Sequence, residues 1–259
     1  MGCHHPAVTW VLDLDGVIWL ADQPVPGAAE AVAALRAAGE RVLFATNNSH
    51  APLAAQEAKL ERMGIPARGD VVTSAMAAAT LVEPGERVLV CGGPGIREAV
   101  ARRGAAPVDD GDAEVVVVGF DRDFDYERLR IAARAVQRGA RLVATNDDAT
   151  YPTPEGPIPG GGALVAAVAY ASGVDPVVAG KPHAPMAALV RELGGGSGTV
   201  VGDRPETDGR FARALGHRFA LVLSGVTREQ DLPVEPVPDV VAPTLATLVE
   251  GIATVRDQP

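Results

Sequence analysis

Short apolar runs alternate along this chain with longer Ala-rich stretches of helical composition. The run 8–12 precedes a helical segment at 28–37, and the run 42–45 precedes another at 53–63. That is βαβα order, and nearly continuous apolar strands between helices predict a parallel sheet covered on both faces. Gly39 and Gly64 each follow a helical segment, where a residue without Cβ takes the left-handed turn that ends it. The rhythm continues through the runs 88–90, 115–118 and 142–144, separated by helical segments near 96–103 and 126–137. Two later runs lie at 177–179 and 199–201. The pattern assigns the chain to the α/β class. ERVLFATNN at 40–48 also resembles ARLVATNDD at 140–148, either as two related α/β units or as one strand-and-turn solution used twice.

Pro84 and Gly85 make a hinge, and the Pro/Gly-rich stretch YPTPEGPIPGGG at 151–162 has loop character before the helical run 163–171 begins. The organisation read from these breaks is a discontinuous core, 1–83 and 177–259, with an inserted α/β domain at 84–176. A single doubly wound domain is the alternative, but it leaves the polar clusters described below divided without explaining the insertion.

At 259 residues and 47% hydrophobic, the chain can bury one large core or two modest ones. Thirty-three acidic against 23 basic residues give a formal charge of -10, which argues against nucleic acid or an anionic membrane as the main partner. A phosphorylated substrate stays compatible, because a lysine, a metal and backbone N–H groups can make a positive pocket in an acidic protein. No run approaches the roughly 18 apolar residues of a membrane span, and the first ten residues lack the basic flank and apolar stretch of a secretory signal. Cys3 and Cys91 have neither CxxC spacing nor a disulfide framework, so a cytoplasmic protein is expected. His4 and His5 beside Cys3 read as an incidental terminal cluster. GGPG at 92–95 and PGGGALV at 159–165 lack the GxGxxG arrangement of a dinucleotide site.

Four polar clusters follow apolar runs. In WVLDLDGVIW, Asp13 and Asp15 succeed the first strand and Gly16 permits a sharp turn. Both carboxylates can face the crevice outside the strand ends, where open α/β sheets bind ligands. They repel each other unless a proton or a cation offsets the charge, and Mg²⁺, a hard cation that prefers oxygen ligands, supplies that offset. Alone, the pair could equally cap a helix or decorate a turn.

In FATNNSH, Thr46 ends a strand ahead of Asn47, Asn48 and Ser49. A hydroxyl with an adjacent backbone N–H or amide can grip phosphoryl oxygens, while the same residues, Ser49 above all, can cap a helix starting near Pro52. In AGKP, Lys181 lies just beyond a strand, where it can neutralise both Asp13 and a phosphate, although most lysines are solvated surface residues. In TVVGDRPETD, Asp203 can complete an oxygen shell around Mg²⁺, and Asp208 can orient Lys181 or a metal-bound water.

DLDGVIW, TNN, AGKP and GDRPETD together resemble the four ordered motifs of the haloacid-dehalogenase-like hydrolases. The finer resemblance is to capped subfamily IIA, which includes nitrophenylphosphatase-like, phosphoglycolate and glycerol-phosphate phosphatases. TSAMAAATL at 73–81, ATNDDATYPT at 144–153, PGGGALVAAV at 159–168 and LVLSGVT at 221–227 fit it too, so nearly the whole chain is covered. The resemblance implies a Rossmann-like parallel-sheet core with a large inserted α/β cap of type C2. It makes Asp13 the nucleophile and Asp15 the acid/base, whose backbone carbonyl also binds metal. Thr46 and Asn47 become the phosphate-binding pair, Lys181 the charge-neutralising lysine, Asp203 a metal ligand and Asp208 a supporting carboxylate. Asn48 matches a residue bordering the substrate, and Asp147, Asp148 and Tyr151 are the cap residues expected near the leaving group. Two departures are Asp147, where relatives usually carry proline, and His183, where a small polar residue is common.

The activity so implied is Mg²⁺-dependent hydrolysis of a small phosphorylated metabolite through an aspartyl-phosphate. A phosphotransferase or phosphomutase could use the same intermediate, and a non-enzymatic phospho-accepting or metabolite-binding module is the alternative of a different class. The resemblance leaves the substrate open among phosphoglycolate, glycerol phosphate, nucleotide, sugar and pyridoxal phosphates, and it leaves a homodimer open as the assembly.

Overall fold

A computed structural model describes residues 8–153, 155–194 and 196–256, without the side chains of 252–256. Cys3, His4 and His5 lie outside the described residues. Six strands make one sheet, in the order Val240–Ala242, Arg218–Val222, Gly198–Gly202, Thr9–Leu12, Arg41–Thr46 and Val71–Thr73. Thr9–Leu12 pairs in parallel with Gly198–Val201 on one side and with Arg41–Phe44 on the other. Trp10, Val11 and Leu12 are all buried, as are Val42, Leu43 and Phe44 beside them, which is why these strands read as unbroken apolar runs. The chain steps outward from Thr9–Leu12 on one side and later returns on the other, so this strand borders the topological switch point, the place where such sheets open a crevice at their carboxyl ends.

A second sheet takes the order Val177–Val178, Arg141–Ala144, Val115–Val118, Arg87–Cys91 and Ala106–Val108, again parallel. Its core joins Leu89, Val116, Val118 and Leu142 to Ala132, Val136, Val165 and Val168 of the helices Tyr126–Gln137 and Gly161–Ser172. Asp125 caps the first of these helices, accepting a bond from the Arg128 N–H at 2.8 Å. Cys91 is a buried thiol in this core, pushed up to about 12 by burial, and is therefore an inert core group.

The expected α/β architecture is present, and several elements match the sequence pattern residue for residue, among them Ala28–Ala37, Val115–Val118 and Tyr126–Gln137. Contacts divide the chain into two compact units, Met1–Ala45 with Glu57–Val71 and Ala187–Pro259, and Thr46–Gln56 with Val72–Met186. Val177–Val178 is a strand of the second sheet, and the TNN stretch is grouped with that sheet's unit. No helix of the described residues is long and apolar enough to cross a membrane.

His217 gives the first unit a pH dependence. It is buried against Gly198, where an added Cβ would come within 2.7 Å of its ring, and its Nδ1 has no hydrogen-bond partner among the described residues. Burial first, and Arg191 secondarily, hold the imidazole below its ordinary 6.5. Protonation therefore favours the unfolded chain. The stability this group contributes is complete above the unfolded value and is lost as pH falls from there through the folded one. His217→Gln is expected to flatten the acid-side decline in urea-unfolding midpoints below about pH 6.5; a slope identical to that of the unsubstituted protein contradicts the assignment.

Candidate active site

Asp13 directly follows Thr9–Leu12 and Asp203 directly follows Gly198–Gly202, so adjacent parallel strands deliver both carboxylates to the same end of the sheet. Asp208 joins them from the wide π-type turn Pro205–Gly209 that succeeds Asp203. Ligand oxygens of Asp13, Asp203 and Asp208 lie within 4.8 Å of one another. Backbone donors meet each: Leu14 N–H to Asp13 Oδ1 at 2.8 Å, Val226 N–H to Asp203 Oδ2 at 2.6 Å, and Arg204 N–H to Asp208 Oδ2 at 3.1 Å. Asp203 and Asp208 are buried.

The approach to Asp203 is possible only because its neighbours lack side chains. A Cβ on Gly16 would stand 2.4 Å from Asp203 Oδ2, and one on Gly225 only 1.9 Å from it. Gly16 also has φ +82°, a left-handed conformation that other residues adopt with strain. Ser224 ties the two loops together by donating to the Gly16 carbonyl at 2.6 Å. The donor set is all oxygen and all anionic, so its chemistry fits a hard divalent cation.

Asp15 accepts a bond from the Trp19 indole Nε1 at 3.0 Å. The Lys59 ammonium lies over the same indole, 4.3 Å from the ring centroid. One carboxylate oxygen of Asp15 is thus oriented by a buried aromatic that itself faces a cation.

The second unit gathers the remaining predicted residues. Thr46 is buried at the end of its strand, and its Oγ1 accepts from Asn48 N–H at 3.0 Å, an arrangement that leaves a hydroxyl able to donate to an anion. Asn47 bonds through its side chain to the backbone of Lys181 and to Asp148. Lys181 is 2% exposed, an uncommon burial for lysine. Asn48 Oδ1 accepts from His50 N–H at 3.1 Å and Ala51 N–H at 3.3 Å, so Asn48 makes the turn into the helix Leu53–Arg62. The capping part expected of Ser49 falls to neither residue, since the first helical N–H, of Leu53, donates to Glu98 Oε2 at 3.0 Å; Ser49, fully buried, instead accepts from Thr145 Oγ1 at 3.0 Å.

Tyr151 stacks on Phe120 with ring centroids 5.0 Å apart, and Phe120 meets His50 edge-on at 6.0 Å. Asp147 Oδ2 and His183 Nε2 are 3.0 Å apart. The two positions that depart from the family pattern are therefore each other's partners. Sequence reasoning missed Trp19, Asn146 and Phe120; the Trp19 signal was available as the i+4 neighbour of Asp15, whereas Phe120 and Asn146 reach their partners only through the fold.

A family model described as haloacid dehalogenase-like hydrolase matches residues 10–106, and one described as HAD-hydrolase-like matches residues 178–248. The chain is 34% identical over 236 residues to the acid sugar phosphatase of Staphylococcus saprophyticus, an alignment covering 88% of this chain and 91% of that protein. The p-nitrophenyl phosphatase from Archaeoglobus fulgidus superposes with a TM-score of 0.89 at 31% identity, over 95% of this chain and 99% of that one. The glycerol phosphate phosphatase from Mycobacterium tuberculosis in complex with magnesium gives a TM-score of 0.86 at 36% identity, over 93% of this chain and 76% of that one.

The carboxylate cluster makes a direct prediction. Gly225→Ala must push the Asp203 carboxylate aside, because the new methyl would overlap it. Divalent-cation affinity by titration calorimetry is expected to fall at least ~10-fold while circular dichroism stays that of a folded protein. Undiminished affinity in the folded variant would show that Asp203 takes no part in cation binding.

Proposed function

The chain belongs to the haloacid dehalogenase-like hydrolases, and on that premise we propose that it is a Mg²⁺-dependent phosphatase of small phosphate monoesters that works through an aspartyl-phosphate on Asp13. The observation that carries the proposal is the convergence of Asp13, Asp203 and Asp208 at the end of two parallel strands. Asp13 and Asp203, with the Asp15 backbone carbonyl, would hold the cation, and Asp208 would support them. When bound, Mg²⁺ supplies positive charge for the phosphoryl oxygens and offsets the carboxylates.

In the first displacement, a carboxylate oxygen of Asp13 attacks phosphorus in line as the ester P–O bond breaks. Asp15 gives its proton to the departing alcohol. Asp15, now a carboxylate, takes a proton from water, whose oxygen attacks the phosphorus of the aspartyl-phosphate. Inorganic phosphate leaves, and Asp13 is restored. Trp19 supports this role by holding one Asp15 oxygen, so that the carboxyl presents a fixed edge to the reacting oxygen. Lys181 offsets the charge of the phosphoryl group, and the Thr46 hydroxyl with the Asn47 backbone N–H grips its oxygens.

Residues 84–176 act in this reading as an inserted cap on a discontinuous core of 1–83 and 177–259. A folded cap favours small diffusible esters over phosphorylated protein surfaces, because binding energy from leaving-group contacts becomes available only to a substrate that fits beneath it. Asp147, Asp148 and Tyr151 are the proposed contacts, with Asn48 shaping the adjoining turn. The relatives' names, an acid sugar phosphatase and a glycerol phosphate phosphatase, support a polyhydroxylated phosphate monoester as the substrate class. The charge of -10 supports a small-molecule partner rather than nucleic acid, and the cysteine usage supports a cytoplasmic setting.

Phosphate release from p-nitrophenyl phosphate or a panel of small monoesters is expected to require Mg²⁺ and to stop on chelation. Turnover that resists chelator at the untreated rate would sink the metal assignment. Asp13→Asn should abolish turnover, a loss of at least ~10⁴-fold, with little change in fold, since the side-chain volumes are nearly equal. Asp15→Asn should lower kcat far more than it raises KM, as rapid-quench and steady-state assays can separate. Steady-state turnover near the unsubstituted level in purified D15N would reject the acid/base role.

A further inference from the structure

One side chain holds both polar backbone groups of Lys181. Asn47 Oδ1 accepts from the Lys181 N–H at 2.8 Å, and Asn47 Nδ2 donates to the Lys181 carbonyl at 3.1 Å. A primary amide used this way offers the donor and acceptor that a neighbouring strand would offer. Its second N–H goes to Asp148 Oδ2 at 3.0 Å. The amide orientation is determined by these partners, because Oδ1 faces an N–H while Nδ2 faces a carbonyl and a carboxylate.

Asn47 is in turn fixed from behind. Its own carbonyl accepts from Ser74 Oγ at 2.8 Å and from Asn146 Nδ2 at 2.9 Å. The residue preceding the lysine is pressed against the same amide, since a Cβ on Gly180 would lie 2.6 Å from Asn47 Oδ1 and 2.5 Å from the Thr145 carbonyl. Lys181 is almost wholly buried, so where its ammonium can reach is set by where its backbone is pinned. With both amide hydrogens directed at Lys181 and Asp148, the Asn47 side chain is engaged in holding these groups and not in gripping an anion.

We propose that the Asn47 side chain is the positioning residue for Lys181, acting on catalysis through the lysine and not through contact with phosphate. The proposal rests on the phosphatase reading, in which Lys181 offsets the charge of the transferring phosphoryl group. Asn47 then keeps a phosphate role only through its backbone N–H, which substitution of the side chain leaves in place.

A double-mutant cycle tests this with p-nitrophenyl phosphate as the probe. Asn47→Ala is expected to lower kcat/KM by about 100-fold, the penalty of a catalytic group displaced by roughly an ångström, with the loss in kcat and little change in KM. In the Lys181→Ala background the same substitution should cost nothing further. Losses that multiply across the two sites overturn the proposal, because they would mean that Asn47 and Lys181 contribute independently. A lower melting temperature with unchanged kcat overturns it as well, since that marks a merely structural role. Should N47A fail to fold, Asn47→Asp keeps the volume and the acceptor for the Lys181 N–H while removing both donors, and it is expected to behave identically in the cycle. Hydrogen exchange at the Lys181 amide decides the clasp without any turnover: exchange should accelerate in N47A, which removes the acceptor of that N–H, and an unchanged rate overturns it. An unsubstituted protein that hydrolyses no monoester, yet shows this acceleration, would reject the phosphatase reading while upholding the clasp.

Discussion

Asp13, Asp203 and Asp208 bring ligand oxygens within 4.8 Å of one another, and at an effective dielectric of about 20 two unit charges ~4 Å apart oppose such an approach by about 4 kcal/mol. The first unit is built to sustain that arrangement. Adjacent strands of a parallel sheet fix Asp13 and Asp203 side by side, and the wide turn after Asp203 curls Asp208 back to them. Backbone N–H groups of Leu14, Arg204 and Val226 offset part of the repulsion. Two glycines let the loops close on Asp203. What those donors leave uncompensated is the driving force for taking up a cation, so the same electrostatic cost that threatens the fold creates its affinity for metal.

The second unit solves a different problem, the immobilisation of a lysine and a hydroxyl. Here the means are neutral hydrogen bonds between loops. The turn Thr46–Ser49 and the turn Thr145–Asp148, whose sequences echo each other, meet directly through the Ser49–Thr145 and Asn47–Asn146 bonds. Around them, the Asp147–His183 pair and the Phe120–Tyr151 stack give this unit a polar side and an aromatic side. The paired change at Asp147 and His183 counts as one chemical difference from the family pattern.

The sequence makes the chemistry legible wherever an apolar strand runs straight into a polar residue, as at Leu12–Asp13 or Gly202–Asp203, because strand ends lie at the crevice by construction. It makes long elements legible too, as with Tyr126–Gln137. Less was readable in elements too short to show a period. Val71–Thr73 has three residues and Val177–Val178 two, and neither run says which sheet it joins. Roles set by distant partners were also hidden. The Asn47–Lys181 bonds span 134 positions and the Asn47–Asn146 bond 99, so the partners of these asparagines are set by the fold and are not readable from the local sequence. Asp208 illustrates the same limit, since its spacing from Asp203 suggests support at a distance, whereas the wide turn puts it within the cluster.

The indole of Trp19 sits between a carboxyl and an ammonium, with Asp15 at its nitrogen and Lys59 over its face. Indole emission responds to just such local fields, because its excited-state dipole differs from that of the ground state. Trp19 is buried away from bulk solvent, whose relaxation would otherwise dominate the spectrum. Trp19, one of the chain's two tryptophans, is thereby a built-in optical gauge of the charge on Asp15, one that needs no attached dye.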